Sequence, residues 1–177
     1  MTAAQNSPAF TVRPVTASDE KEVAGVITAA FNQQSEVRLV YNLRHCGALL
    51  VELVAQGDDG RLLGHVAFSR VTGAGAGHRL QISCLAPVSV LPELQKLGIG
   101  SALITAGLEE LRSQGEDLVL VLGPPAYYPR FGFDADLAKQ VQAPYAGAAF
   151  MALALTEAGR EYLPVEVSFA TPFQEFE

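Results

Sequence analysis

A short glycine-containing segment between two apolar stretches constrains the fold of this 177-residue chain more than any other feature. It is Gln95-Lys-Leu-Gly-Ile-Gly-Ser-Ala102, preceded by the run Leu85–Val90 and followed by Ile104, Leu108 and Leu111 at helical spacing. This pattern predicts a strand, a tight turn and a helix. The first turn of a helix carries unpaired N–H groups and a partial positive charge, and glycine lets an anion approach the backbone closely. We therefore interpret the segment as a cradle for a pyrophosphate group.

Two common nucleotide-binding patterns do not fit this segment. A dinucleotide fingerprint needs a third glycine where Leu103 stands, and an acidic residue roughly twenty residues further on, after a second strand. A P-loop needs Gly-Lys-Ser/Thr at the end of a longer loop, and Gly100-Ser101-Ala102 has no lysine there. A glycine pair that serves only tight packing between a strand and a helix stays open as the alternative.

A second motif follows the apolar run Leu118–Leu122, which has the composition of a strand. It is the segment Gly123-Pro-Pro-Ala-Tyr-Tyr-Pro-Arg-Phe-Gly-Phe133. Taken alone, it is equally consistent with an aromatic loop that covers the sheet and leaves its tyrosine hydroxyls in water. Its position about thirty residues after the glycine turn favours a functional interpretation.

Together the two motifs resemble those of the GNAT acyltransferases, which bind acetyl-CoA. That family has Gln/Arg-x-x-Gly-x-Gly/Ala between its fourth strand and third helix, matched here by Gln95, Gly98 and Gly100. Many members have Tyr-x-x-x-Gly-Phe after the fifth strand, matched here by the segment from Tyr128 to Phe133. The Ala-Tyr-Tyr and Arg-Phe-Gly-Phe strings are similar to a YhbS-like branch of the family.

The resemblance extends over nearly the whole chain and leaves out only residues 1–8 and the extreme C-terminus. It implies an α/β fold of the GNAT-like acyl-CoA N-acyltransferase type, with a mixed central β-sheet flanked by helices. We predict residues 1–9 to be a flexible N-terminus and residues 10–177 to be a single GNAT-like domain. Periodicity and turn residues predict strands at 10–16, 49–56, 62–71, 82–90, 118–122, 150–155 and 165–169, and helices at 19–31, 35–45 and 101–114. Residues 72–77 are predicted to be a flexible loop with no phosphate site.

The resemblance also implies how acetyl-CoA or CoA is held as a co-substrate, without a metal. The N–H groups of residues about 96–101 would bind the pyrophosphate, and the edge of the fourth strand would pair with the pantetheine amides. Lys96 can add a charge to a phosphate, or it can be a solvated loop lysine. The implied cofactor-binding residues are Val88, Val90, Gln95, Lys96, Leu97, Gly98, Ile99, Gly100, Ser101 and Ala102.

Tyr128 matches the position where the family commonly has a general acid beside the CoA sulfur. A phenol keeps its proton at neutral pH, with a reference pKa of about 10, and can donate it to a thiolate. Pro129 disfavours helical geometry at Tyr128, so the sequence leaves open whether Tyr127 or Tyr128 faces the sulfur.

The general base has no motif in the sequence. Glu36, Glu52, His65 and Glu93 are candidates, and His65 within an alternating strand is interpreted as a packed or edge histidine. Cys84 has no pattern of histidine and acid partners, so we assign it to packing rather than to nucleophilic catalysis.

Composition excludes several classes of protein. The hydrophobic fraction of 49% and mean hydropathy of +0.22 exclude a disordered chain, and the net charge of −7 with a pI of 4.9 argues against a nucleic-acid surface. No apolar run has the length of a membrane span, and residues 1–8 have no signal-peptide core. Cys46 and Cys84 cannot form a disulfide framework, and we expect both to be reduced and at least half-buried. These features predict a cytoplasmic protein.

The leading hypothesis is an acetyl-CoA-dependent N-acetyltransferase that acts on the amine of a small molecule by direct attack. The alternatives are a protein lysine or N-terminal acetyltransferase, a non-catalytic acyl-CoA-binding module and an acyl-CoA hydrolase. GNAT proteins are often dimers, so the resemblance also implies a homodimer. The acceptor and the preferred acyl-chain length have no signal in the sequence.

Overall fold

A computed structural model describes residues 7–75 and 79–176 of the chain. Its strands are β1 (Phe10–Pro14), β2 (Leu49–Gly57), β3 (Leu62–Gly73), β4 (Ile82–Val90), β5 (Leu118–Leu122), β6 (Val141–Gln142), β7 (Phe150–Ala154) and β8 (Val165–Phe169). Its α-helices are α1 (Glu20–Phe31), α2 (Ser35–His45), α3 (Ile99–Ser113), α4 (Ala135–Ala138) and α5 (Ala158–Glu161).

The strands form one eight-stranded mixed sheet, in the order β1-β2-β3-β4-β5-β7, with β8 paired to β3 and β6 paired to β8. Strands β1 to β4 are consecutive antiparallel neighbours. Strand β5 then runs parallel to β4 after the crossover through α3, and β7 returns antiparallel to β5. The predicted mixed sheet flanked by helices is confirmed.

Helices cover the two faces of this sheet because alternate residues of a strand point in opposite directions. Gly64 of β3 lies against Ile99 and Leu103 of α3. The next residue, His65, is hydrogen-bonded to Glu52 on the opposite face. Arg44 of α2 also donates a hydrogen bond to Glu52, so α2 lies on that face. The apolar stripe of α3 is buried between these layers, which fixes the helix and its N-terminal turn over the sheet.

The structure corrects several element boundaries. Strand β3 runs to Gly73, two residues into the predicted loop, because β8 pairs with Val71–Gly73. Residues 76 and 77 of that predicted loop lie outside the described residues. Helix α3 begins at Ile99 rather than Ser101, since Gly98 adopts a φ of 92° and closes the turn immediately before it. The short elements β6, α4 and α5 were not predicted, because each is too brief to show a periodic pattern.

Two side chains are more exposed than the sequence predicts. Cys46 follows the last turn of α2 and is exposed, whereas Cys84 within β4 is buried as expected. The helical spacing of Val23, Ile27 and Phe31 predicts that all three lie on one apolar face, but Phe31 is the last residue of α1 and is 37% exposed. No helix among the described residues has the length and apolar character of a membrane span.

Candidate active site

The two central parallel strands separate halfway along β4. β4 pairs with β5 only from Ile82 to Leu85. Beyond that point an extra residue of β4 around Ala86-Pro87 forms a bulge against β3, and bulges bend the strand that carries them. Pro87 has no N–H to donate to a neighbouring strand. On the other side, Gly123 and two prolines end β5. A wedge therefore opens between the strands at this end of the sheet.

The wedge exposes one edge of β4. Val88 and Val90 pair with Val66 and Gly64 of β3, while no strand among the described residues pairs with their other side past Leu85. An unpaired strand edge offers backbone donors and acceptors to an extended ligand.

The glycine turn that follows β4 presents a run of unused N–H groups. From Lys96 through Ser101, no backbone N–H donates a hydrogen bond to the described residues. The turn needs left-handed backbone at Lys96, with a φ of 65°, and at Gly98. Successive amides in such a turn form a concave site for an anion, and they open directly into the N-terminus of α3.

The other predicted cradle residues have more varied positions. Gln95 donates a side-chain hydrogen bond of 3.2 Å to the carbonyl of Val90 and so joins the turn to the end of β4. The side chain of Ile99 is buried in the core and leaves only its N–H free. Half-buried Leu97 accepts a hydrogen bond from Ser7 at its carbonyl. The N–H of Ala102, one residue past the predicted run of free N–H groups, donates to the carbonyl of Gly98.

A cavity of about 610 Å³ lies in the wedge. Its wall includes Val88 of β4 and the β5 segment from Leu120 to Gly123. Most of the remaining wall is aromatic. These side chains are Phe31, Tyr127, Tyr128, Tyr145, Phe150, Phe169, Phe173 and Phe176. The N–H turn lies outside this wall, and Val88 and Tyr127 connect the two features.

Tyr128 lies in the cavity wall with its ring locked by packing. It begins a 3₁₀ turn, Tyr128–Phe131, despite the proline that follows it, and it is 5% exposed. A Cβ on Gly123 would be 2.3 Å from the ring, so only glycine fits there. Burial raises the pKa of Tyr128 to about 12, and the neighbouring Tyr127 and Cys84 add to the rise. The phenol therefore keeps its proton throughout the neutral range.

Tyr127 has a different position, over the first turn of α3. Its hydroxyl is 3.3 Å from the Oγ of Ser101, and the guanidinium of Arg130 stacks over its ring at 4.4 Å. The hydroxyl of Tyr128, by contrast, has no hydrogen-bond partner among the described residues. Both tyrosines line the cavity, but only Tyr127 also borders the N–H turn.

Comparisons with known proteins agree with this geometry. A family model described as an acetyltransferase (GNAT) domain matches residues 11–135. The chain is 37% identical over 127 residues to the uncharacterized N-acetyltransferase YjhQ of Escherichia coli, covering 71% of this chain and 70% of YjhQ. It is 36% identical over 116 residues to the uncharacterized N-acetyltransferase YhbS of the same species, covering 66% and 68%. This chain belongs to the GNAT acetyltransferase family.

Solved structures support the same assignment. The crystal structure of the GNAT family N-acetyltransferase YhbS from E. coli in complex with CoA superposes with a TM-score of 0.87, at 28% identity, covering 99% of this chain and 97% of that one. A GNAT family acetyltransferase from Brucella melitensis in complex with acetyl-CoA gives a TM-score of 0.78 at 35% identity, covering 93% and 98%. The predicted family and its YhbS-like branch are confirmed.

Three of the four candidate bases of this GNAT protein are engaged away from the cavity wall. Glu52 accepts hydrogen bonds from Arg44 at 2.6 Å and from buried His65 at 2.9 Å. Burial alone would raise the pKa of Glu52, but the hydrogen bonds from His65 and Arg44 outweigh it and lower the pKa. Glu93 is exposed and paired with Arg61 at 2.9 Å.

Glu36 is the candidate base that lines the cavity, and it comes from the first turn of α2. It is half-buried and accepts hydrogen bonds from the side chains of Gln33 and Ser35, at 2.8 and 2.9 Å. No salt bridge among the described residues includes it. Its position depends on α2 packing beside the wedge, so sequence spacing alone could not distinguish it from the other acids.

Cys84 also lines the cavity, but its surroundings do not activate its thiol as a nucleophile. Burial raises the pKa of its thiol to about 12, so the thiolate is not formed at neutral pH. No histidine contacts it to act as a base among the described residues. Its interpretation as a packing residue agrees with this geometry.

Proposed function

We propose that this protein transfers the acetyl group of acetyl-CoA to the amine of a small molecule by direct attack. The observation that carries the proposal is the run of unused N–H groups from Lys96 to Ser101, adjacent to a cavity that holds a proton donor and a carboxylate. The CoA and acetyl-CoA in the two similar structures support the choice of donor. The cytoplasmic location and the homodimer stay predictions from the sequence.

The residues present fit CoA. The N–H groups from Lys96 to Ser101 would bind its pyrophosphate, and the free edge at Val88 and Val90 would pair with its pantetheine amides. Lys96 is exposed and has no ion-pair partner among the described residues, so its charge is available to a phosphate. When bound, acetyl-CoA supplies a thioester carbonyl that an amine can attack.

Tyr128 and Glu36 then have separate tasks within the cavity. Tyr128 holds a proton at its hydroxyl, which has no hydrogen-bond partner within residues 7–75 and 79–176 and is available to a departing thiolate. Glu36 attracts the ammonium group of the acceptor and can accept a proton from it. The apolar wall excludes water from the reacting groups and strengthens both electrostatic interactions.

The test of this proposal is Tyr128→Phe, assayed by release of the CoA thiol with an amine that the protein acetylates. We expect kcat and kcat/KM to fall together by about 10²–10⁴-fold, since a general acid acts in the transition state. The affinity for CoA should change little. Stability should also change little, because the hydroxyl makes no hydrogen bond to the described residues.

Two variants make the test specific. Tyr127→Phe removes a hydroxyl beside Ser101 and should affect CoA affinity more than turnover. Tyr162→Phe removes a hydroxyl that lies outside the cavity wall and should change neither. If Tyr128→Phe keeps full activity and Tyr127→Phe loses it, the general acid is Tyr127 and our assignment to Tyr128 is wrong. CoA binding without transfer to any amine would favour the non-catalytic module.

A further inference from the structure

The far side of the cavity is an aromatic cluster built from distant parts of the chain. Tyr145 precedes β7, Phe150 begins it, Phe169 ends β8, and Phe173 lies in the 3₁₀ segment that follows. The ring centroid of Tyr145 is 5.3 Å from that of Phe169 and 6.3 Å from that of Phe150. Phe169 and Phe173 are 5.7 Å apart. These spacings are those of tilted and edge-to-face ring pairs. All four rings line the cavity, so an aromatic ligand group inside it would lie against aromatic surfaces.

Glu36 is the only charged side chain in this wall, as far as the described residues extend. Its hydrogen-bond partners, Gln33 and Ser35, are neutral. A carboxylate in an apolar surface is costly to desolvate unless a cation pairs with it. The nearby Arg38 forms its ion pair with Glu175, which also holds the C-terminal segment against α2, and acts on Glu36 only by a weaker charge interaction without a salt bridge. The wall therefore has a place for one positive charge.

We propose that the acceptor is a primary amine that carries an aromatic group, with its ammonium at Glu36 and its ring against the aromatic cluster. This inference rests on the proposed acetyltransferase function and names its substrate class. Polyamines and amino sugars fit the wall less well, because they bring several charges or hydroxyls to a surface with one carboxylate. A long acyl chain would leave Glu36 facing hydrocarbon without a cation.

The test compares phenethylamine with butylamine, spermidine and glucosamine. Calorimetry would measure binding of each amine to the protein saturated with CoA, and thiol release with acetyl-CoA would measure turnover. We expect kcat/KM for phenethylamine to exceed the values for the other three amines by at least about tenfold, which corresponds to about 1.4 kcal/mol. Equal use of all four amines, or a preference for spermidine or glucosamine, would overturn the inference.

Variants connect the preference to the two features of the wall. Glu36→Gln should weaken binding of phenethylamine and butylamine alike, because both are cations. Phe169→Leu keeps apolar bulk but removes a ring, so it should lower kcat/KM for phenethylamine about tenfold and that for butylamine less than twofold. The matched control, Phe10→Leu in β1, lies outside the cavity wall and should change neither value. Equal losses for both amines in Phe169→Leu would count against the aromatic site.

The outcomes separate this inference from the function on which it rests. Binding of phenethylamine that depends on Glu36 and Phe169, without acetyl transfer, would uphold the site and contradict the acetyltransferase proposal. Transfer to amines without aromatic preference would uphold the function and overturn the site. Faster use of hexanoyl-CoA than of acetyl-CoA by the wild type, lost in Phe169→Leu, would assign the cluster to the acyl chain and overturn the inference.

Discussion

The N-terminus of α1 carries acidic side chains and continues a 3₁₀ turn, Ala17–Asp19, whereas the N-terminus of α3 follows a glycine turn and has no acidic residue. Before α1, the carboxylate of Asp19 accepts the N–H of Thr16 at 2.8 Å and pairs with the guanidinium of Arg13 at 2.8 and 2.9 Å. The N–H groups of Asp19 and Glu20 donate to backbone carbonyls of the preceding turn. The positive end of α1 therefore receives its negative charge from within the protein.

The first turn of α3 contains no acidic residue, whereas that of α1 contains Glu20 and Glu22. The amides from Lys96 to Ser101 remain unused by the described residues. Both helices have the same partial charge at this end, so the difference lies in the residues placed there. The end of α1 is supplied with carboxylates and with carbonyl acceptors from the turn before it, while the end of α3 keeps its amides free, as the proposed CoA site requires.

The largest effect is expected from Gly100→Val in the first turn of α3, which should lower the affinity for CoA. A Cβ at this position would meet the hydroxyl of Tyr127 at 3.4 Å and Val90 at 3.6 Å, which are ordinary contacts, so the fold should persist. The added methyl groups would occupy space that a phosphate needs. We expect CoA affinity to fall by at least about 100-fold, equivalent to about 2.7 kcal/mol, as measured by calorimetry.

The matched control for this change is Gly25→Val in α1. Its Cβ would meet nothing within 4 Å. Gly25, like Gly100, lies in an α-helix, but it is not next to the glycine turn. CoA at 100 times its Kd should raise the unfolding free energy of the control by about 2.7 kcal/mol, but not that of Gly100→Val. Undiminished CoA affinity in folded Gly100→Val would remove the cradle assignment.

The second effect is expected from Asp19→Asn, which removes one negative charge at the acidic end of α1. The change removes the charge that pairs with Arg13 and holds the start of α1, and should lower the free energy of unfolding by about 1–3 kcal/mol. CoA affinity should stay unchanged. Urea unfolding and calorimetry measure the two quantities, with Asp136→Asn as the control because its pair with Lys139 is on the surface. If Asp19→Asn lost CoA affinity but not stability, the start of α1 would serve the ligand rather than the fold, which would contradict the comparison with α3.

The smallest effect is a pH dependence of the stability that Asp19 contributes at the start of α1. Hydrogen bonds from Arg13, with help from Thr16, hold the pKa of Asp19 well below its ordinary value. The stability that Asp19 contributes is therefore complete above the unfolded pKa of about 3.9 and falls as the pH decreases toward its lower folded pKa. The gap in unfolding free energy between the wild type and Asp19→Asn should shrink below about pH 4. Urea titrations from pH 7 to pH 3 would show it, and a constant gap would contradict this assignment.

The accuracy of sequence prediction differed between local and distant features. The bounds of α2, β4 and β5 agree with the periodic pattern, and the glycine turn lies between β4 and α3 as predicted. Helical and strand periods are properties of neighbouring residues, so these elements could be predicted locally. The extension of β3 depends on β8, which is about ninety residues further along the chain, and its sequence carried no sign of that pairing.

The candidate site shows the same division. The unused N–H groups follow from a strand, a glycine turn and a helix in sequence order, and they were predicted. The sequence does not show which of Tyr127 and Tyr128 lies deeper in the cavity wall, because this depends on which ring packs against Gly123. The choice among Glu36, Glu52, His65 and Glu93 also depended on packing between α2 and the sheet.

By itself, the sequence determined the family, the mixed sheet, the turn before α3 and the motif that contains Tyr128, because each is encoded by residues close together in the chain. Only the tertiary structure decided that β4 and β5 separate after Leu85, that Glu36 reaches the resulting cavity and that aromatic residues from Tyr145 to Phe173 line its far side. Those features depend on strand register, a bulge and the packing of distant segments, which residue spacing does not encode.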